Sequence, residues 1–239
     1  MVHKCTNPDS VFAMVAGQTT ATNLRAQTRS ATRPEVARKT AAASGEETRG
    51  RIIAAAVETL NAVGIVGASA RTIARTGDFN QALIFYHFGS VEGLLVAAAK
   101  TEGVARSARY AEKFGQVSTI AELVTIARSV HQQEQSDGAV NVLSQLLAGS
   151  MSAPALRVGL LEAMTPWMEL VEQAVRQVLG AGPLAAMAPV SDMAFAISSL
   201  FLGLELMTAL DPSGQRATSL FDTVETLSAV VEPLIAGPT

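Results

Sequence analysis

The chain has 239 residues, 49% of them hydrophobic and 16% charged, with a mean hydropathy of +0.28 and a formal net charge of −3. The single Cys5 excludes an intrachain disulfide, and His3, His87 and His131 are too few and too scattered to form a zinc site with cysteine. Ala, Leu and Val dominate and aromatics make up only 5%, which favours an all-α protein with a large buried core in a reducing compartment.

Residues 1–46 are rich in Thr, Ser, Ala, Arg and Pro without apolar periodicity, and read as a disordered arm. Charge is unevenly spread. Through Gly45 six basic residues face two acidic ones, a net +4; from Gly115 onward four arginines oppose twelve acids, a net −8. A polyanion would be drawn to the first part and repelled by the last, so the acidic total does not exclude DNA binding. The arm suits contact with DNA phosphates or the minor groove; a solvated tail is the other reading. Val11–Ala16 is too short for a signal peptide's apolar stretch. Met193–Leu204 ends at Glu205, short of the roughly 20 residues of a membrane span. No membrane association is expected, and the cytoplasm is the expected compartment.

Ile52, Ile53, Ala56, Val57, Leu60 and Val63 recur at helical spacing and predict a helix over Glu47–Val63, closed by Gly64 and Gly67. Arg49 and Arg51 sit near its start, where their charge opposes the helix dipole. Phosphate contact is one reason for them and a solvated face the other. Ser69 has the chemistry to cap a short helix in which Arg71, Thr72 and Arg75 form a polar face opposite Ala70, Ile73 and Ala74. Gly77-Asp78 breaks that helix, and Asn80 is placed to cap another over Gln81–His87. Gly89 ends it, and Ser90 caps a longer helix with Glu92 in its first turn. Two short helices joined by a tight turn form a helix-turn-helix, whose second helix can enter a DNA major groove. Residues 47–97 thus read as a three-helix DNA-binding domain.

Residues 98–239 read as a larger helical domain. The helix from Ser90 reaches about Phe114 and breaks at Gly115-Gln116. Thr119 and Glu122 form a capping box for the next, which ends at Asp137-Gly138. Helices over Ala139–Ala148 and Pro154–Leu179 follow, the second expected to kink at Pro166, and then a Gly/Ala/Pro loop to Pro189. Ser191 is placed to cap a helix that is apolar nearly all round between Phe195 and Leu210. After the turn Asp211–Gly214, a last helix over Thr218–Glu232 sets Leu220, Val224, Leu227, Val231 and Leu234 in a stripe. A helix apolar on every side must be covered on every side. Deep burial within one chain would do this. So would a homodimer in which the two C-terminal helices meet their two-fold copies as a four-helix bundle, the arrangement expected here.

The stretch from about Arg49 to Ala97 resembles the DNA-binding domain of the TetR (tetracycline-repressor) family of transcriptional regulators. The resemblance rests on the Ile/Ala-rich first helix, the Gly64 turn and Arg71-Thr72-Ile73-Ala74. Above all it rests on Phe85-Tyr86-His87-Phe88 followed by Ser90, Glu92 and Leu94-Leu95. It implies a dimeric transcriptional regulator of the repressor type, released from a palindromic double-stranded operator by a small molecule held in the C-terminal domain. By position, Ser69 and Arg71, with Thr72 beside them, would hold phosphates, and Asn80, Gln81 and Ala82 would face base edges. Gln pairs bidentately with adenine and Ala touches the thymine methyl. Phe85, Tyr86 and His87 would divide between packing and backbone contact, His87 as a phosphate donor, while Phe88 reads as core. Asp78 replaces the usual turn Gly, Leu83 a common Thr or Ser, and Val91 a common Lys.

For the effector, Met151, Met164, Trp167, Met168 and Phe195 could line an apolar pocket and His131 supply a polar contact, although each also serves as ordinary core. The scarcity of charge there predicts an apolar or weakly polar ligand. No cofactor or metal is expected. No nucleophile–His–acid grouping or Gly-rich phosphate loop emerges, so an enzyme is not expected. The alternative is a helical interaction module that has lost DNA binding, for which Leu83 and Val91 are the hints.

Overall fold

The computed structural model describes residues 33–180, 188–211 and 213–236. Most of the anticipated arm, the loop at 181–187 and the side chain of Leu234 lie outside the described residues. Among the described residues the chain forms α1 (Arg33–Gly67), α2 (Ala70–Thr76), α3 (Ala82–Phe88), α4 (Val91–Gly115), α5 (Ile120–Asp137), α6 (Ala139–Ser150), α7 (Pro154–Leu179), α8 (Val190–Thr208) and α9 (Gln215–Ala236). The expected all-α architecture is what the chain adopts. One boundary is corrected: the first helix begins at Arg33, not Glu47. Pro34 suits a first helical turn, and Glu35 through Ala43 are mostly good helix formers. This is a helix made by propensity rather than by an apolar stripe, so periodicity did not mark it. The described residues from Ala43 onward form one compact unit.

Two hydrophobic clusters hold that unit together. The first joins Ile52, Ala56 and Leu60 of α1, Ile73 of α2, Ile84 of α3, and Leu94 and Leu95 of α4 to Leu146 of α6 and Leu156 and Leu160 of α7. It therefore draws on side chains from both sides of residue 97. The second gathers Tyr110 and Phe114 of α4, Val130 of α5, Trp167, Val171 and Val175 of α7, and Ala194 of α8. Helices α4 and α7 are common to both, each with its first half in one cluster and its second half in the other. The two lie against each other at backbone distance. A Cβ on Gly103 would stand 2.2 Å from the Ala163 carbonyl oxygen, and one on Gly159 would stand 2.4 Å from a Val96 methyl. No larger residue fits either place without the helices parting.

Local chemistry sets most of the ends. Gly64 leaves helical geometry inside α1 with φ 69, and the freed Ile65 N–H donates to Gln145 Oε1 at 3.0 Å, tying α1 to α6. The capping box at α5 is present as anticipated. Helix α7 continues through Pro166 as one element. Helix α8 begins at Val190 after Pro189, with no side-chain cap, so Ser191 is not its cap.

The C-terminal pair is inverted relative to an ordinary surface helix. α8 buries Ala194, Ser198 and Glu205, while Phe195, Leu200, Met207 and Leu210 are 61–77% exposed. α9 likewise exposes Leu220, Leu227 and Val230. The hairpin is thus not deeply buried within its own chain. Ala43–Gly67 and Val190–Thr208 are long and apolar enough to cross a membrane by length and composition, which corrects the reading that no such stretch exists. In the first, the apolar residues are spent on the head's core. In the second, Glu205 is buried and bonded to His131.

Candidate nucleic-acid interface and effector cavity

The head is built by placing α3 on α1, α2 and α4. Ser69 caps α2 through a hydrogen bond from Thr72 N–H at 3.1 Å, and the two hydroxyls lie 2.8 Å apart. Gly77 ends α2. A Cβ there would meet the Phe79 ring at 2.4 Å and Ala55 at 2.7 Å, so close packing fixes this glycine. The left-handed residue of the turn is instead Asp78, with φ 49. Aspartate tolerates that region better than most side chains, which accounts for its standing where a glycine is usual. At the far end of α3, a Cβ on Gly93 would lie 2.3 Å from the Phe88 carbonyl oxygen, so α3 and α4 meet at their backbones. Ser90 caps α4 by accepting from Gly93 N–H at 3.0 Å.

On this frame α3 turns Ile84 fully inward and packs Leu83 and Phe88 against the core. Gln81, Ala82, Phe85 and Tyr86 are left outside, Phe85 at 51% and Tyr86 at 83% exposure. The packing alternative for Tyr86 therefore fails, and that for Phe88 holds. Leu83 and Val91, two of the three departures from the family pattern, both pack against the head's core. Helix α3 starts at Ala82, one residue later than anticipated. Its first turn is held by the Asn80 side-chain oxygen, which accepts from Ala82 N–H at 2.8 Å. That bond occupies one of the groups Asn80 would need for reading a base.

Arg49 is tied to the end of α3. Its Nη1 donates to the His87 carbonyl at 2.8 Å, and its guanidinium carbon lies 4.4 Å from the centroid of the Phe88 ring. It thus closes the C-terminal end of α3, where a cation meets the negative end of the helix dipole. Arg51, Ser69 and Arg71 are exposed, and Thr72 and His87 are half-buried.

A second feature lies between the clusters, a cavity of about 380 Å³ bounded by α1, α4, α5, α6 and α7. Of the anticipated effector residues, Met164 and Trp167 line it. Met151 and Phe195 point outward, at 79% and 61% exposure, and drop out. They fail because the inward positions of α8 are taken by Ala194 and Ser198, and Met151 stands at the exposed end of α6. Met168 is half-buried and lines none of the cavities described here. His131 is buried away from the cavity, 2.8 Å from Glu205 Oε1, with Gln135 donating to the other oxygen of Glu205 at 2.9 Å. Burial pushes the Glu205 carboxyl up despite those bonds.

The expectation that charge is scarce in the cavity is corrected. Arg106, Arg109, Glu102, Glu134 and Asp137 all reach its wall. Glu134 is 2% exposed and accepts from the Tyr110 hydroxyl at 3.2 Å. Burial, with Glu134 beside it, pushes the Tyr110 phenol up and keeps it a donor. Arg106 Nε lies 3.3 Å from Glu134 Oε2, and Arg109 pairs with Asp137 at 2.9 Å. Arg106 and Glu134 stand on different helices and each reads as a surface charge. The signal for Glu134 was its place one turn beyond Val130 and His131, on the buried stripe of α5.

Residues 52–98 match the family model of bacterial regulatory proteins of the tetR family. Over 77–80% of the chain the fold is shared with solved structures. The fatty acid degradation regulator FadR of Bacillus halodurans is 16% identical with a TM-score of 0.61, over 80% of this chain and 99% of that one. GusR of Salmonella enterica is 18% identical with a TM-score of 0.61, over 77% and 95%. FadR of Bacillus subtilis, solved with stearoyl-CoA, is 17% identical with a TM-score of 0.60, over 79% and 98%. No curated protein matches the sequence.

Proposed function

We propose that this chain, a regulator whose residues 52–98 belong to the tetR family, is a homodimeric transcriptional repressor that binds a palindromic operator and leaves it when a small molecule enters its cavity. One observation supports this above the others. Helix α3 is fixed from behind by Ile84, Phe88 and Arg49, while Gln81, Ala82, Phe85 and Tyr86 remain on its open side. A short helix anchored on one face and left bare on the other is what major-groove reading requires. In function, residues 47–97 are the reading head and 98–239 the effector and dimerisation part. The bare apolar faces of α8 and α9 suit a two-fold copy of themselves, which would set two heads at fixed separation. Gln81 reads a base and Ala82 a thymine methyl, Arg71 and Arg51 hold phosphates, and Tyr86 contacts the backbone. The setting is the cytoplasm, and the role is regulatory rather than catalytic.

Binding to random duplex DNA should fall steeply with salt. Arg71→Ala should weaken binding to all sequences alike and reduce the salt slope by about 1, whereas Gln81→Ala should relax sequence preference with the slope unchanged. Protein that ignores DNA at low salt would overturn this reading in favour of an interaction module.

A further inference from the structure

The inner wall of the cavity has an arginine with unmet donors, and this selects a ligand class. The argument rests on the cavity being the effector site. Arg106 lies beside Glu134, yet its buried Nε makes no hydrogen bond, and neither terminal nitrogen donates one among the described residues. Its guanidinium carbon is 4.4 Å from the centroid of the Trp167 ring, which fixes its place at the wall. Behind it a much smaller chamber is lined by Arg106, Glu134, Glu205 and Ser198, and the buried Ser198 hydroxyl is likewise unpartnered. The main cavity's lining also includes the apolar Val142, Leu146, Leu160 and Met164.

Three ligand classes can be weighed against this wall. A neutral apolar molecule would exclude water and leave the guanidinium donors unmet. A cation would have to take Glu134 from Tyr110 and Arg106, leaving the arginine's charge without its partner. A carboxylate meets the fork of guanidinium donors directly and leaves the Glu134–Tyr110 bond in place. The other acids do not prevent this, because Asp137 is held by Arg109 and Gln133, and Glu102 is exposed.

We propose that the effector is a small amphipathic monocarboxylate, its carboxylate on Arg106 and its apolar body along α6 and α7. Arg106 is one turn from Gly103 on α4, so the ligand engages the helix that also supports α3.

Trp167 is the chain's only tryptophan and lines the cavity, so its fluorescence reports occupancy. Full-length protein is titrated with octanoate, octylamine and octanol below their aggregation limits. Octanoate should bind at least tenfold more tightly than the other two. Arg106→Gln should remove that preference and leave octanol binding unchanged. The double change Arg106→Gln with Glu134→Gln guards against misfolding, since it leaves no stranded charge, and should behave alike. Glu134→Gln alone should strengthen octanoate binding. Preference for octylamine that disappears in Glu134→Gln, octanoate binding indifferent to Arg106→Gln, or no saturable binding of octanoate would each overturn the proposal. Binding to duplex DNA is measured on the same samples: if it persists while octanoate fails, the ligand class is wrong and the regulator reading stands; if it is absent, that reading itself falls.

Discussion

Arg49 and Arg71 show how alike two arginines look in a sequence and how differently they are used. Arg49 is bonded to the His87 carbonyl and stacked by Phe88, whereas Arg71 is exposed on α2. Arg49→Met should therefore cost about 1.5–3 kcal/mol of stability, the range for a hydrogen bond involving a charged group. It should lower DNA affinity by loosening α3 while leaving the salt slope unchanged, as measured by thermal unfolding and by anisotropy across salt. A salt slope reduced by one would mean that Arg49 holds a phosphate after all. The sequence identified Arg49 as a residue without a structural reason, because its partner is a backbone carbonyl 38 positions away. Side-chain pattern does not display backbone acceptors. The same blindness hid Gly93, whose need is set by the Phe88 carbonyl oxygen.

Among the elements, those closed by local chemistry were legible and those placed by tertiary contact were less so. The α5 capping box is the clearest case. Thr119 Oγ1 accepts from Glu122 N–H, and Glu122 Oε2 accepts from Ser118 N–H at 2.8 Å and Thr119 N–H at 3.2 Å. Those bonds, led by the Ser118 backbone, hold the Glu122 carboxyl below its ordinary value. A carboxylate lowered on folding adds stability above its unfolded pKa, about 4.3, and loses it as pH falls through the lower folded value. The unfolding midpoint of Glu122→Gln should accordingly lie below that of the parent at pH 6, and the gap should narrow as pH falls below about 4.3. A gap that does not narrow in acid would place the contribution elsewhere. The start of α1 at Arg33 and the charged lining of the cavity were not legible in the same way. The first has no apolar stripe to reveal it, and the second is assembled from helices far apart in the chain.

At the scale of the molecule, the proposed dimer rests on the apolar outer faces of α8 and α9. Leu200→Glu changes a residue that is 75% exposed in the single chain, so the subunit fold should survive by circular dichroism. Sedimentation should shift from dimer to monomer, and DNA affinity should drop at least tenfold as the second half-site contact is lost. A dimer that persists would move the interface off α8. The nearness of α4 to α7 at Gly103 has a mechanical consequence. With no side chain between it and the Ala163 carbonyl, Gly103 would, on the function proposed above, be the point about which α4 moves against α7. The twelve residues from Gly103 back to Val91 make an arm of about 18 Å at 1.5 Å per residue. Tilting that arm by about 10° swings its tip roughly 3 Å, and two copies swinging oppositely change the head separation by about 6 Å, against half-sites spaced about 34 Å apart. A displacement of that size is a sizeable fraction of a groove's width, so in the proposed dimer a small shift of α4 at Gly103 would suffice to put both heads out of register with an operator.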